Sequence, residues 1–220
     1  DLAYKFNFIN NDWNGFNVLH SAASRAGAMS IGFLPSDKGM ITEEIISSYN
    51  NKKLELLYLL GADELNLEKN NDCFVIYQGH HGDAGAQIAD LVFPAAAFSE
   101  QNGLYMNTEG RVQESIRSTF PLGEAKENWE IIYLLAKEMN FDIGFSNLNE
   151  LRNQLFEEFP VIDPYSEFEL LPSPKKDEFE KLNGHQFKRI IDSYWQTNSI
   201  ARASSNLSKR NNYKKEDIIR

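Results

Sequence analysis

The sequence predicts an α/β fold with a Rossmann-like, doubly wound, mostly parallel sheet, followed by an extended C-terminal arm. Three observations point there. Short apolar runs stand at 54–60, 73–77 and 91–93, and the second, too short for a free-standing helix, is rich in β-branched and aromatic residues. Acidic or glycine-punctuated turns follow the first two, Gly61-Ala62-Asp63-Glu64 and then Gly79, Gly82 and Gly85. A polar spacer joins the first two runs and a short helical or turn segment the second and third, the rhythm of a parallel sheet with tight crossovers.

In chain order, residues 1–12 are Asn-rich and read as an irregular lead-in, starting at Asp1 without Met as a processed or truncated start would. After a turn at Trp13-Asn14-Gly15, the small residues Ser21 to Ala28 predict a helix able to pack close to another backbone, ended by Gly27 or Gly32. His20 is placed at the buried end of that helix, as a core or capping histidine. A loop over 33–42 leads to a helix from Thr42 to Asn51. Cys73 to Tyr77 predicts a buried strand, and the glycines after it mark backbone that bends or approaches something closely. Ala84 to Ala89 is a short helical or turn segment. Leu91 to Phe93 is a second buried run, which Pro94 cannot extend as a central strand.

Asn102-Gly103 is a turn before a short strand at Leu104 to Asn107. Beyond Pro121, the residues Trp129, Ile132, Tyr133, Leu135 and Ala136 share one face at helical spacing. A further helix over 147–159 sets Leu148, Leu151, Leu155 and Phe156 on its apolar side. From Pro160 the texture changes, with Pro164, Pro172 and Pro174 spread among acids and aromatics, as in chain wrapping a surface. Residues 187–195 suggest a short helix. The expected organisation is therefore a domain at 1–159 and an extended C-terminal segment at 160–220.

Composition narrows the function. Hydrophobic residues make up 42% and charged residues 25%, ordinary for a globular protein. No apolar run approaches the roughly 20 residues a membrane helix needs, and no signal peptide is visible. A net charge of −10 argues against nucleic acid as a main partner. Residues 201–220 carry +4 and the rest −14. That basic tail reads first as a solvated terminus and, more sharply, as a docking arm for an acidic neighbour. One cysteine, Cys73, cannot form a disulfide within the chain, and a four-cysteine iron–sulfur or zinc site is excluded. Cys73 is expected to be a small buried hydrophobe.

His80-His81-x-Asp83 is the most reactive-looking constellation. Adjacent histidines rarely chelate one ion, and no nucleophile is placed beside them. The simplest reading has the imidazoles and the carboxylate bonding neighbouring backbone. The glycines do not match a dinucleotide fingerprint, and no Walker lysine is present. Asp63 and Glu64 stand where parallel folds bind ligands, although a solvated turn capping the next segment is the reading favoured for them. Arg111 is expected to pair with a buried carboxylate such as Glu100 or Asp90. No catalytic, cofactor-binding or metal-ligating residue is assigned.

The blocks WNGFNVLHSAASRAGAMSIGF at 13–33, YQGHHGDAGAQIADLVFPAAAFSEQNGLYMNTEGRVQ at 77–113, PLGEAKENWEII at 121–132 and DSYWQTNSIARASSNLSK at 192–209 resemble one family. It is the C-terminal part of the 75 kDa subunit of respiratory complex I, NADH:ubiquinone oxidoreductase. The 91–113 part also resembles molybdopterin oxidoreductases. The resemblance implies part of the molybdopterin-oxidoreductase fold, with any pterin site vestigial and filled by side chains such as those of His80 and His81. It further implies a supporting, non-catalytic role in the peripheral arm that passes electrons from NADH towards ubiquinone, with no cofactor of its own. The implied partners are other peripheral-arm subunits, above all the iron–sulfur-cluster-bearing N-terminal part of the 75 kDa subunit, with no membrane span. The implied location is the matrix side of the mitochondrial inner membrane, or the cytoplasmic side of a bacterial one. Two enzymatic alternatives are a molybdopterin-dependent oxidoreductase domain holding the pterin on the 79–85 loop, and a hydrolase using His81 and Asp83.

Overall fold

The computed structural model describes residues 2–10, 13–35, 39–65, 67–166, 184, 193 and 195–210. Its elements run α1 (Leu2–Lys5), α2 (Arg25–Ser30), α3 (Thr42–Asn50), β1 (Leu56–Leu60), β2 (Phe74–Gly79), α4 (Ala84–Ile88), β3 (Leu91–Pro94), β4 (Gly103–Met106), β5 (Val112–Ser115), α5 (Asn128–Glu138), α6 (Leu148–Glu158), a 3₁₀ turn at Pro160–Ile162, and α7 (Ser199–Ala203). Residues 205–210 are also helical. The helix expected at 187–195 and the last ten residues of the basic tail lie outside the described residues, apart from Ser193 and Trp195.

The chain divides into two compact units. One comprises Leu34–Gly103, Ser115–Asn153 and Ser193–Arg220. Its centre is a parallel sheet in the order β1-β2-β3, with Leu57 opposite Val75, Leu59 opposite Tyr77, and Tyr77 opposite Val92. Alternation along β1 and β2 sends Leu57, Leu59, Val75 and Tyr77 into a core with Tyr49, Leu67, Cys73 and Ile88. Cys73 is thus the buried hydrophobe the sequence suggested.

Helix α3 opens with Glu43 and Glu44 near the positive end of its dipole, and Glu44 accepts from the Ile41 N–H at 3.0 Å. At its other end the Tyr49 hydroxyl donates to the Glu68 carbonyl at 2.9 Å and accepts from the Asn70 N–H at 3.1 Å. These two bonds tie α3 to the crossover between β1 and β2. Asp90 secures the start of β3: its carboxylate accepts from the Val75 N–H at 2.8 Å and pairs with Lys69.

Two expectations in this unit need correcting. β3 is a sheet-edge strand with Leu91 and Val92 exposed, not a buried one, because it pairs with β2 on one side and its faces are thinly covered. In α5 the buried residues are Ile131 and Ala136, while Ile132 is exposed. A rotation of one position, about 100° on a helix, moves the core face off Ile132.

The other unit comprises Asp1–Phe33, Leu104–Glu114 and Gln154–Asp192. β4 and β5 are joined by too few residues for anything but an antiparallel hairpin, closed by Asn107 N–H donating to Arg111 carbonyl at 3.0 Å. Helix α2 is shorter than expected and starts later, at Arg25, so that 15–20 is irregular chain. His20 therefore sits off the helix and half-buried, not in a core. Small residues without apolar periodicity give the 21–24 stretch no face to pack, and it stays a turn. Gly27 lies within α2, close to Met106, and Gly32 at φ 71° ends the helix. There Phe33 N–H bonds the Ala28 carbonyl and Gly32 N–H the Met29 carbonyl, a Schellman closure. Ile162 in the 3₁₀ turn and Met106 in the hairpin are buried.

Candidate functional site

The carboxyl end of the parallel sheet gathers the polar side chains. β1 leaves through Gly61, whose φ of 61° is one L side chains rarely adopt, and delivers Asp63 to a position only 7% exposed. β2 leaves through Gly79 into His80, His81 and Asp83. Asp83 caps α4, its carboxylate accepting from the Ala84 N–H at 2.9 Å. From the far end of the chain comes α7, capped by Asn198 accepting from the Ala201 N–H at 2.9 Å.

Arg202 on α7 spans both carboxylates. Its Nε donates to Asp83 Oδ2 at 2.6 Å and its Nη2 to Asp63 Oδ1 at 2.7 Å. Its Nη1 donates to the Gln196 carbonyl at 3.4 Å. The planar guanidinium fork suits two acceptors on different loops, which a single ammonium could not reach together. The Arg202 hydrogen bond is the main cause holding the Asp83 carboxyl below the usual range. Burial works against the charge on Arg202, but the Asp83 hydrogen bond and the two aspartates outweigh it and raise its pKa.

Tyr77 occupies the middle of this end. Its hydroxyl donates to the His81 carbonyl at 3.2 Å. A Cβ at Gly79 would stand 2.2 Å from that hydroxyl oxygen, and one at Gly85 would stand 2.7 Å from the ring. The close approach that the glycines permit is therefore to Tyr77 of this same chain. Burial, then Asp63 and Asp83, push the Tyr77 hydroxyl pKa up, so it stays a neutral donor.

The imidazoles do not bond neighbouring backbone through their Nδ1 atoms, as the sequence suggested. His80 Nδ1 and His81 Nδ1 lie 2.7 Å apart with the rings edge to face, a distance that requires one proton between them. Burial, then the neighbouring His81, lower the His80 pKa. Asp83 does bond backbone, as expected, but its other oxygen belongs to Arg202, and neither bond goes to His81. Among the described residues, no three His, Cys, Asp or Glu side chains converge as a metal-binding set.

Three assignments from sequence change here. Asp63 is buried and paired rather than a solvated turn, while Glu64 is exposed. Arg111 is exposed; Asp90 pairs with Lys69, and Glu100 accepts from the Ala97 N–H at 3.0 Å. The arginine that meets buried carboxylate is Arg202, inside the tail read first as solvated. Gln78, Glu127 and Ser199 are buried polar residues that the sequence did not single out. Gln78 accepts from the Tyr58 hydroxyl and donates to Asn128 Oδ1 at 2.8 Å. Glu127 accepts from Trp129 Nε1 at 3.0 Å and pairs with Arg117. The signal for Gln78 was a polar residue inside an apolar run; Glu127 gave none.

These residues do not fit a molybdopterin cofactor. The space at the glycine loop is taken by the Tyr77 ring, and the charges around it, Asp63 and Asp83 with Arg202 already engaged between them, are net negative, the wrong sign for a pyrophosphate. The one thiol, Cys73, is buried in the core, and burial raises its pKa. What the arrangement does chemically is fasten the segment at 195–210 to the sheet.

The family model described as molybdopterin oxidoreductase matches residues 1–138. The chain is 40% identical over 94% of its length to a NADH-quinone oxidoreductase subunit of Rickettsia conorii, covering 29% of that protein. It is 35% identical over 92% of its length to the mitochondrial NADH-ubiquinone oxidoreductase 78 kDa subunit of Neurospora crassa, covering 27% of it. It is 32% identical over 90% of its length to the NADH-ubiquinone oxidoreductase 75 kDa subunit of Reclinomonas americana, covering 28% of it.

Proposed function

This chain belongs to the molybdopterin oxidoreductase family, and from that membership we propose that it serves as the supporting C-terminal portion of a complex I subunit of the 75 kDa type. One observation carries the reading: similarity to NADH-quinone and NADH-ubiquinone oxidoreductase subunits runs along nine-tenths or more of this chain while spanning less than a third of theirs. In this reading the chain sits in the peripheral arm that passes electrons from NADH towards ubiquinone. On that reading it is a support without catalytic residue or cluster ligand of its own, and its single thiol, Cys73, is buried in the core.

The three-strand sheet is then one edge of a larger Rossmann-like, doubly wound layer. Residues 1–159 form the folded body and 160–220 an arm that returns to it. The Arg202 lock supports that division of labour, because it spends the ligand-binding end of the sheet on holding the arm. The partners are the cluster-bearing part of the subunit and its neighbours in the arm. The location is the matrix face of the mitochondrial inner membrane or the cytoplasmic face of a bacterial one. No helix among the described residues is long and apolar enough to cross a membrane.

Purification of a tagged chain from its own cells, with identification of the chains that migrate with it on a native gel, tests this. NADH:quinone oxidoreductase subunits in fixed ratio are expected. Stoichiometric molybdenum in the isolated chain, or its absence from respiratory assemblies, would overturn the proposal.

A further inference from the structure

Chain normally lies over both faces of a parallel sheet, because each crossover must pass across one side or the other. In this unit one face is covered well and the other in part. The register puts paired residues on the same side, so the face opposite the core reads Leu-Tyr-Leu along β1 from Leu56 and Phe-Ile-Gln along β2 from Phe74, with Leu91 and Phe93 on β3. Helix α5 covers the carboxyl-end corner, where Asn128 holds Gln78. Beside that helix, Phe93 and Ile131 line a cavity of about 350 Å³. The amino-end half of this face is bare. Leu56 is 56% exposed, Phe74 49% and Leu91 39%. No charged side chain stands anywhere in the pattern, whereas a sheet face meant for water alternates polar residues into that side.

We propose that this bare face docks an uncharged, apolar segment of the subunit region lying beyond the 27–29% of the relatives' length that this chain matches. Two observations select that occupant. The face itself is uncharged, so a charged partner would lose its hydration without gaining an ion pair. The relatives supply more than twice this chain's length of further polypeptide, which in them is covalently attached and always present. The inference rests on the reading proposed above and adds to it the surface through which the two parts meet.

The test uses the full chain, tagged and expressed in its own cells, with the photo-crosslinking residue p-benzoylphenylalanine in place of Phe74. After irradiation the assembly is purified and cross-linked peptides are identified by mass spectrometry. Cross-links to sequence homologous to the unmatched part of the 75 kDa-type subunit are expected. In parallel, Leu56→Asp should lower the yield of those cross-links at least tenfold, while Leu122→Asp, on an exposed loop, should leave it unchanged. Cross-links confined to this chain, to a second copy, or to other subunits would overturn the inference while leaving the complex I reading in place. Absence of respiratory subunits from the purified material would overturn both.

Discussion

Replacing Arg202 with Met should destabilise the unit that contains it by about 2–3 kcal/mol. The substitution keeps most of the aliphatic stem and removes the guanidinium. Asp63, with a side chain 9% exposed, then loses its only cationic partner among the described residues. Leaving a fully buried charge unpaired costs about 3–5 kcal/mol. Arg202 at 24% and Asp83 at 26% are not fully buried, so water recovers part of that and the lower figure follows. The loss also has a ceiling. Once it exceeds the docking free energy of residues 195–210, the segment releases, Asp63 is rehydrated, and further damage stops. The assay is urea unfolding of the full chain, with hydrogen exchange of the α4 and α7 amides to detect release. Adding Asp63→Asn completes a double-mutant cycle, for which a coupling of about 1–3 kcal/mol is expected. A single-mutant loss below about 0.5 kcal/mol, or coupling near zero, would refute the reasoning, because surface ion pairs give values of that size.

Other expectations follow from the same geometry. Asp83 has a folded pKa below its ordinary 3.8, so its stabilisation is complete above the unfolded value and disappears as pH falls through the folded one. An acid titration of stability should fall below about pH 4, and Arg202→Met should flatten that limb. Gly79→Ala should cost about 1–3 kcal/mol through collision with the Tyr77 hydroxyl, and less in a Tyr77→Leu background, as thermal melts of the four proteins would show. Tyr49→Phe removes an acceptor from the Asn70 N–H and a donor to the Glu68 carbonyl, a loss of about 1–2 kcal/mol by urea titration. Cys73 should resist a thiol reagent in the native protein and react at the free-thiol rate once urea unfolds it, since it is buried and burial raises its pKa.

Much of the fold was legible because the signals are local. The apolar runs at β1 and β2, Pro94 at the end of β3, the acidic start of α3 and the turn before β4 each lie within a few neighbouring residues, and the structure has an element at each. The weaker readings had no such support. The small residues at 21–24 present no apolar face, and the helix does not include them. Ile132 and Ile131 differ by one step on α5, and only what packs against that helix decides between them.

Sequence alone established the class of fold, the absence of cluster-forming thiols, and a family resemblance concentrated in the 77–113 block. It also marked the carboxyl end of the sheet as the place to look. Tertiary structure alone decided what occupies that place. Arg202 is 119 residues from Asp83 and 139 from Asp63, and nothing in a linear chain distinguishes that arginine from Arg111. Glycines at 79 and 85 announce a close approach without naming the ring that makes it. Ion pairs and ring contacts are set by distances in space, and those distances exist only after the strands have aligned and residues 195–210 have packed against them.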